Sequence, residues 1–322
     1  MRVLVTGGAG FIGSRVVDRC LKERFDVDVV DDLSNGHLKF LPNSIIDNNQ
    51  LKIASFDSST VLDDVRQKKY DTVIHLAAIP RVSYSVEQPL LSHNTNVTAT
   101  LKLMDACRKN INRFVFASSS SIYGGADVLP TPTTTSADPK SPYALQKLII
   151  ENYLSMYYRH YGLDSVSLRF FNVFGPNQLG DSPYATAVSS WLTAIFSGKK
   201  MRSDGDGSQT RDMCYVDNVA DACVKAATTR SELQAIPLNV ACGERNSNRQ
   251  ILEYLMKKFP RAEYYDSPWR PGDVMHTHAD ISLTQEKIGY VPLVKFWDGL
   301  DKTISWYQDN WSTISELMQS TI

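Results

Sequence analysis

The chain has 322 residues, 43% of them hydrophobic and 21% charged, which supports one large domain or two modest ones and excludes disorder or collagen-like repetition. Lys and Arg number 34 against 35 Asp and Glu, and a net charge of -1 removes the broad attraction that nucleic-acid binders use, so no nucleic-acid partner is expected. No run is apolar enough to cross a bilayer and residues 3–6 already read as a strand rather than a leader, so a cytoplasmic protein without a membrane partner is expected.

The strand at 3–6 runs into Gly7, Gly8, Gly10 and Gly13, which satisfy both G-x-G-x-x-G and G-x-x-G-x-x-G, and a helical pattern follows over 11–23. Glycines there allow a tight turn and let the backbone approach a pyrophosphate. The helix start, with Phe11 and Ile12, offers unpaired N–H groups and a positive dipole end. Alone, the pattern is as consistent with a strand-to-helix turn that binds nothing. A second strand, 27–31, ends in Asp31, at the distance downstream where a carboxylate takes the adenosine ribose hydroxyls. An acid there repels a 2′-phosphate, so the expected cofactor is NAD rather than NADP. A third strand, 52–54, is followed by Asp57, which fits the adenine edge or an ordinary turn equally.

Further strands at 72–76, 114–117 and 165–170 alternate with helices at 90–109 and 142–161, the last opened by Ser141 as N-cap and Pro142 in the first turn. Strand and helix in alternation predict an α/β fold, a doubly wound parallel sheet with its ligand crevice at the carboxyl ends of the strands. The Pro- and Thr-rich stretch 129–142 reads as a loop and a lid edge. Beyond residue 176 the alternation decays. The expected division is an NAD-binding Rossmann domain over 1–172 and a smaller mixed α/β substrate-binding lobe over 173–322, some segments of which return to the first domain. Cys20, Cys107, Cys214, Cys223 and Cys242 are scattered and read as reduced, mostly buried thiols.

Tyr143 and Lys147 stand four apart at the start of a predicted helix, so both side chains share one face. Taking hydride from an alcohol needs a base, which a tyrosine of ordinary pKa, about 10, does not supply at neutral pH. A neighbouring ammonium and a positively charged nicotinamide lower that pKa. The serines at 118–121 close the fifth strand at the same edge, where a hydroxyl can relay the substrate proton to Tyr143.

Residues 6–13, Asp31, His75 to Ala78, Ser118 to Gly124, Tyr143 with Lys147, Arg169 to Pro176, Arg211 with Asp212, and Arg270 to Asp273 occur together and in order. In this set the chain resembles the extended short-chain dehydrogenase/reductase family, nucleotide-sugar branch, over nearly its whole length. The resemblance implies that Ser119 is the catalytic hydroxyl beside Ser120 and Ser121, Tyr143 the base and Lys147 its partner, with Ala77 near the cofactor. It assigns Asn172, Arg211, Arg270 and Asp273 to the UDP moiety, arginine forks suiting a diphosphate.

Sugar 4,6-dehydratases of this branch carry an Asp-Glu pair where Ser120 and Ser121 stand, which disfavours elimination and leaves C4 epimerisation. Thr277 matches a gate position at which a small residue admits a 2-acetamido group. The implied substrates are therefore UDP-GlcNAc/UDP-GalNAc, with UDP-Glc/UDP-Gal in addition; a UDP-glucuronate 4-epimerase and a non-catalytic NAD- or sugar-binding protein are the alternatives. His276 and His278 alternate along a possible strand and read as ordinary strand residues, no metal site being expected. Apolar residues on more than one face of the helices at 90–109 (Leu91, Val97, Leu101, Met104) and 142–161 (Leu148, Ile149, Tyr153, Tyr157) fit a homodimer, as the family forms.

Overall fold

Strands that are apolar on both faces are stable only inside a layered structure, and the first half of this chain supplies them in series. In the computed structural model, which describes residues 1–180, 185–269 and 274–319, β1 (Arg2–Thr6), β2 (Asp26–Asp31), β3 (Leu51–Ile53), β4 (Thr72–His75), β5 (Arg113–Ser119), β6 (Ser165–Phe170) and β7 (Ile236–Val240) form one parallel sheet. Its order is β7-β6-β5-β4-β1-β2-β3. The chain runs outward from β1 to β3 and then resumes on the other side at β4, so the switch point lies between β1 and β4.

Helices cover both faces. On one, Phe11–Lys22 packs beside Val216–Thr228, with Arg15 Nε 2.8 Å from Asp217 and Arg19 Nη2 3.1 Å from the buried Asp221. On the other lie Ser59–Arg66, Thr100–Cys107 and Pro142–Tyr161. Helix Val216–Thr228 and strand β7 both come from beyond residue 172, yet both belong to the sheet layer.

The segment expected as one helix over 90–109 is divided. Helical turns at Pro89–His93 and Thr100–Cys107 flank a wide i→i+5 stretch at Asn94–Ala99. The wider turn accommodates the buried Asn96, whose amide accepts from Ile79 N–H at 2.8 Å and donates to Ile79 C=O at 3.0 Å and Gln146 Oε1 at 2.8 Å. Local periodicity cannot report a distortion whose partners lie so far away in sequence.

The remaining lobe is built on an aromatic core that includes Phe174, Trp191, Tyr215, Phe296 and Tyr307. Three two-stranded pairs serve it: Val173–Phe174 with Cys214–Tyr215, Thr210–Arg211 with Asn246–Ser247, and Met201–Asp204 with Tyr264–Ser267. The loop expected as a lid edge is anchored instead. Thr131 N–H donates to His278 C=O at 2.7 Å, and Asp280 N–H to Thr131 C=O at 3.0 Å. All five cysteines are free and buried. No helix among the described residues is long and apolar enough to cross a membrane.

Arg113, buried at the start of β5, pairs with Asp164 at 2.7 Å and donates to the carbonyls of Ala226, Thr229 and Ser231, closing the end of helix Val216–Thr228. Asp164 in turn accepts from the N–H groups of Leu233 and Gln234. Arg113→Ala leaves that carboxylate uncompensated and is expected to cost about 3 kcal/mol. Urea unfolding measures this, and a midpoint equal to wild type refutes it.

Candidate active site

Gly7 has a left-handed φ of +71°, and a Cβ on it would lie 2.7 Å from Ala77 N. A Cβ on Gly13 would lie 1.9 Å from Gly7 C=O, so this glycine sets how closely the first helix approaches β1. Gly10 differs, since a Cβ there would meet only Gly7 C=O, at 3.3 Å. It is the N-cap of helix Phe11–Lys22, and no side chain caps that end. The first-turn N–H groups of Phe11, Ile12 and Gly13 thus face a cradle whose floor is glycine, which fits a pyrophosphate.

Asp31 sits beside this cradle at the end of β2. Its Oδ2 accepts from Ala9 N–H and its Oδ1 from Leu33 N–H, both at 2.9 Å, so the carboxylate also ties the glycine loop to β2. Burial raises its pKa, and the two N–H bonds oppose the rise. Asp57 is half-buried; Lys102 Nζ lies 2.8 Å from its Oδ2, and the pair draws its pKa down. Ala77 caps the floor of the cradle, its N–H 3.4 Å from Thr6 Oγ1.

Ser119, Tyr143 and Lys147 come together at the carboxyl edge of β5. Ser141 caps helix Pro142–Tyr161 by accepting from Ala144 N–H at 3.2 Å, and Tyr143 N–H donates to Ser85 Oγ at 3.0 Å, which seats the first turn. The Ser119 hydroxyl bonds the Tyr143 side chain and accepts from Ser121 Oγ at 2.9 Å. Lys147 Nζ donates to Ala117 C=O at 2.7 Å and lies 5.7 Å from the Tyr143 ring centroid. Ser120 and Ser121 are half-buried beside them.

Burial governs both ionisable groups. It pushes the Tyr143 phenol up to about 12 against the Ser119 bond, and the Lys147 amine down to about 7 against the charge of Glu151. The expected acidification of Tyr143 by its lysine is not seen in the chain by itself, where desolvation raises the phenol and the Ser119 bond alone opposes it. An oxidised nicotinamide bound beside Tyr143 would supply a positive charge and a hydride acceptor.

The residues expected at the UDP end divide. Asn172 is exposed, and its carbonyl accepts from Cys214 N–H at 2.9 Å. Arg211 Nη1 donates to the carbonyls of Thr210 and Met275, both at 3.1 Å. Thr277 lies alongside, its hydroxyl accepting from Asp212 N–H at 3.1 Å. Arg270 and Asp273 lie outside the described residues. His276 Nδ1 meets Thr210 Oγ1 at 2.8 Å and His278 Nε2 meets Gly243 C=O at 3.1 Å.

Several polar residues to which the sequence assigned no role hold this edge in place. Asp212 is fully buried and accepts from Cys242 and Ala279 N–H at 3.0 Å each; burial raises it to about 7. Asn96, Gln146 and Ser92 brace the active helix from behind. A signal was present in the charge of Arg169 inside a strand, Ser165–Phe170, with no other charged residue; once buried, that charge demands a partner.

Replacement of Gly10 by Ala should leave thermal unfolding near wild type yet abolish NAD binding in titration calorimetry, whereas Gly13→Ala should lose the fold itself. Normal NAD affinity in Gly10→Ala would remove the cradle from the cofactor site.

Residues 3–241 match the family model described as NAD dependent epimerase/dehydratase family. A UDP-glucose 4-epimerase of Mycolicibacterium smegmatis is 33% identical over 316 residues, 96% of this chain and 99% of the relative. The structure of a UDP-N-acetylglucosamine 4-epimerase from Methanobrevibacter ruminantium, in complex with UDP-N-acetylmuramic acid, has a TM-score of 0.89 at 35% identity, covering 96% of this chain and 98% of that one. A Thermus thermophilus UDP-glucose 4-epimerase in complex with NAD has a TM-score of 0.85 at 32% identity, covering 96% and 99%. With a glycine cradle, an acidic β2 end and a Ser/Tyr/Lys edge on a seven-stranded parallel sheet, the chain belongs to the NAD-dependent epimerase/dehydratase family of enzymes.

Proposed function

We propose that this enzyme interconverts the C4 epimers of a UDP-N-acetylhexosamine, UDP-GlcNAc and UDP-GalNAc, and also accepts UDP-Glc and UDP-Gal. The observation that carries the reading is the Ser119–Tyr143 contact with serines, not carboxylates, at 120 and 121. Tyr143, assisted by Ser119, takes the O4 proton of the sugar. NAD held in the glycine cradle would supply the hydride acceptor for C4 and, once the 4-keto sugar has turned about its diphosphate linkage, the hydride donor to its other face, with no net oxidation. Ser120 and Ser121 cannot act as a tuned acid and base for loss of water, which separates this site from a dehydratase.

Arg211, with Asn172, Arg270 and Asp273, is assigned to the UDP moiety. Thr277 supports the choice of sugar, being small beside the Arg211 strand where a bulky ring would crowd a 2-acetamido group. The likeness to the Methanobrevibacter ruminantium enzyme points the same way.

Chromatography of UDP-GlcNAc, UDP-Glc and UDP-glucuronate mixtures without added cofactor should show turnover of the first two. Tyr143→Phe should lower kcat about a thousandfold, and Thr277→Tyr should suppress UDP-GlcNAc turnover more than UDP-Glc. A preference for UDP-glucuronate, or full activity in Tyr143→Phe, overturns the reading.

The protein is further proposed to be a homodimer through the helices Pro89–His93 and Pro142–Tyr161. Leu90 is 80% exposed, Leu91 48% and Leu145 48%. A groove of about 770 Å³ on this side is lined by His93, Leu101, Ile149 and Tyr153 among others. Of the residues expected at this face, Met104 instead packs in the protomer core, and Val97 is buried between that core and the groove. Sedimentation equilibrium should give twice the chain mass, and Leu90→Asp should halve it; a wild-type monomer refutes the dimer.

A further inference from the structure

Glu151 stands one helical turn after Lys147 on the same face of helix Pro142–Tyr161, and both are buried. Arg169 on β6 grips it with a fork, Nε to Oε1 at 3.0 Å and Nη2 to Oε2 at 2.6 Å. Ser118 on β5 donates to Oε1 at 2.5 Å. Arg169 is itself fixed, its Nη1 donating to Tyr123 Oη at 2.9 Å and Thr133 C=O at 3.2 Å. The Tyr123 hydroxyl in turn donates to Asn239 Oδ1 at 2.6 Å. A carboxyl group so held keeps one position.

We propose that Glu151 is a positioning residue for the epimerisation, supplying from beneath Lys147 the negative charge that keeps its amine protonated where water is excluded. The proposal rests on the reading of Tyr143 as the base and Lys147 as its partner.

The other groups facing Lys147 leave this task to Glu151. From β4, His75 is hydrogen-bonded to Thr6 and Thr100; burial, abetted by the charge of Lys147, takes it down to about 3, so it is neutral. From β5 come the Ala117 carbonyl and the Phe116 ring, 4.7 Å from Nζ, together with the neutral hydroxyls of Ser118 and Ser119. From its own helix comes Tyr143, a neutral phenol until it acts. Arg169 on β6 is positive and opposes the charged amine, so it cannot supply what Glu151 does. A carboxylate in a medium of low dielectric acts over the length of one helical turn without touching the amine, and its effect there is larger than at a surface.

The sign follows directly. Turnover needs Lys147 charged, so the alkaline limb of kcat/KM reports the loss of its proton. Glu151→Gln removes the opposing charge and should move that limb toward acid by about one pH unit. Glu151→Asp, which keeps the charge, should restore most of the shift. Because Glu151→Gln leaves Arg169 unpaired, the double variant Glu151→Gln/Arg169→Met, which removes both buried charges, provides a second test in a better-matched core.

The experiment is a pH profile of the NAD-loaded wild type and variants, together with NMR titration of the labelled Lys147 side chain, assigned by comparison with Lys147→Met. An acid shift in both readouts for Glu151→Gln and the double variant, rescued by Asp, supports the proposal. A uniform fall in kcat with unmoved limb and NMR midpoint shows Glu151 to be a packing partner alone. If the wild type turns over no sugar, the functional reading fails while the NMR midpoint still judges Glu151.

Discussion

An amine buried in a dry protein is costly to keep charged, and much of the polar architecture of this enzyme surrounds one. Lys147 has the Ala117 carbonyl on one side, an aromatic ring on another and a fixed carboxylate one turn below. Burial that drives its amine toward neutrality is the same burial that keeps the Tyr143 phenol protonated. A positive charge entering the crevice would favour the ionised form of the Tyr143 phenol and disfavour the charged form of the Lys147 amine, so the two groups respond to it in opposite directions. In the chain by itself, desolvation holds both groups toward their neutral forms.

That arrangement depends on several elements of different origin in the chain. β5 contributes the carbonyl and the serines, helix Pro142–Tyr161 the tyrosine, lysine and glutamate, and β6 the arginine. The Arg169 fork passes through Tyr123 to Asn239 on β7, whose amide also donates to the carbonyls of Thr131 and Asp280. Those two residues belong to the segments that bracket Thr277. A continuous run of buried hydrogen bonds therefore joins the reacting edge to the part of the second lobe proposed to choose the sugar.

Asp212 performs a related service for that lobe. By accepting the N–H groups of Cys242 and Ala279, it holds the strand carrying Arg211 against the end of β7 and the 277–279 segment. The segments at 242 and 279 are thus clasped by one buried side chain.

The local features were legible in the amino-acid sequence because their causes are local. Alternation of apolar runs predicted six strands to within two residues at each end, the Ser141-Pro142 start located the helix of Tyr143 and Lys147, and glycine spacing marked the cradle. Tertiary structure alone decided the division of the helix at Asn94–Ala99, the anchoring of the 129–142 loop, the return of β7 to the sheet and the partners of Glu151. Each of these depends on which residues meet from far apart, such as Asn96 with Gln146 or Arg169 with Tyr123. Periodicity records which face of an element is apolar; it carries no record of which buried polar group will answer another, since that is settled only when the layers close and every desolvated donor must find an acceptor.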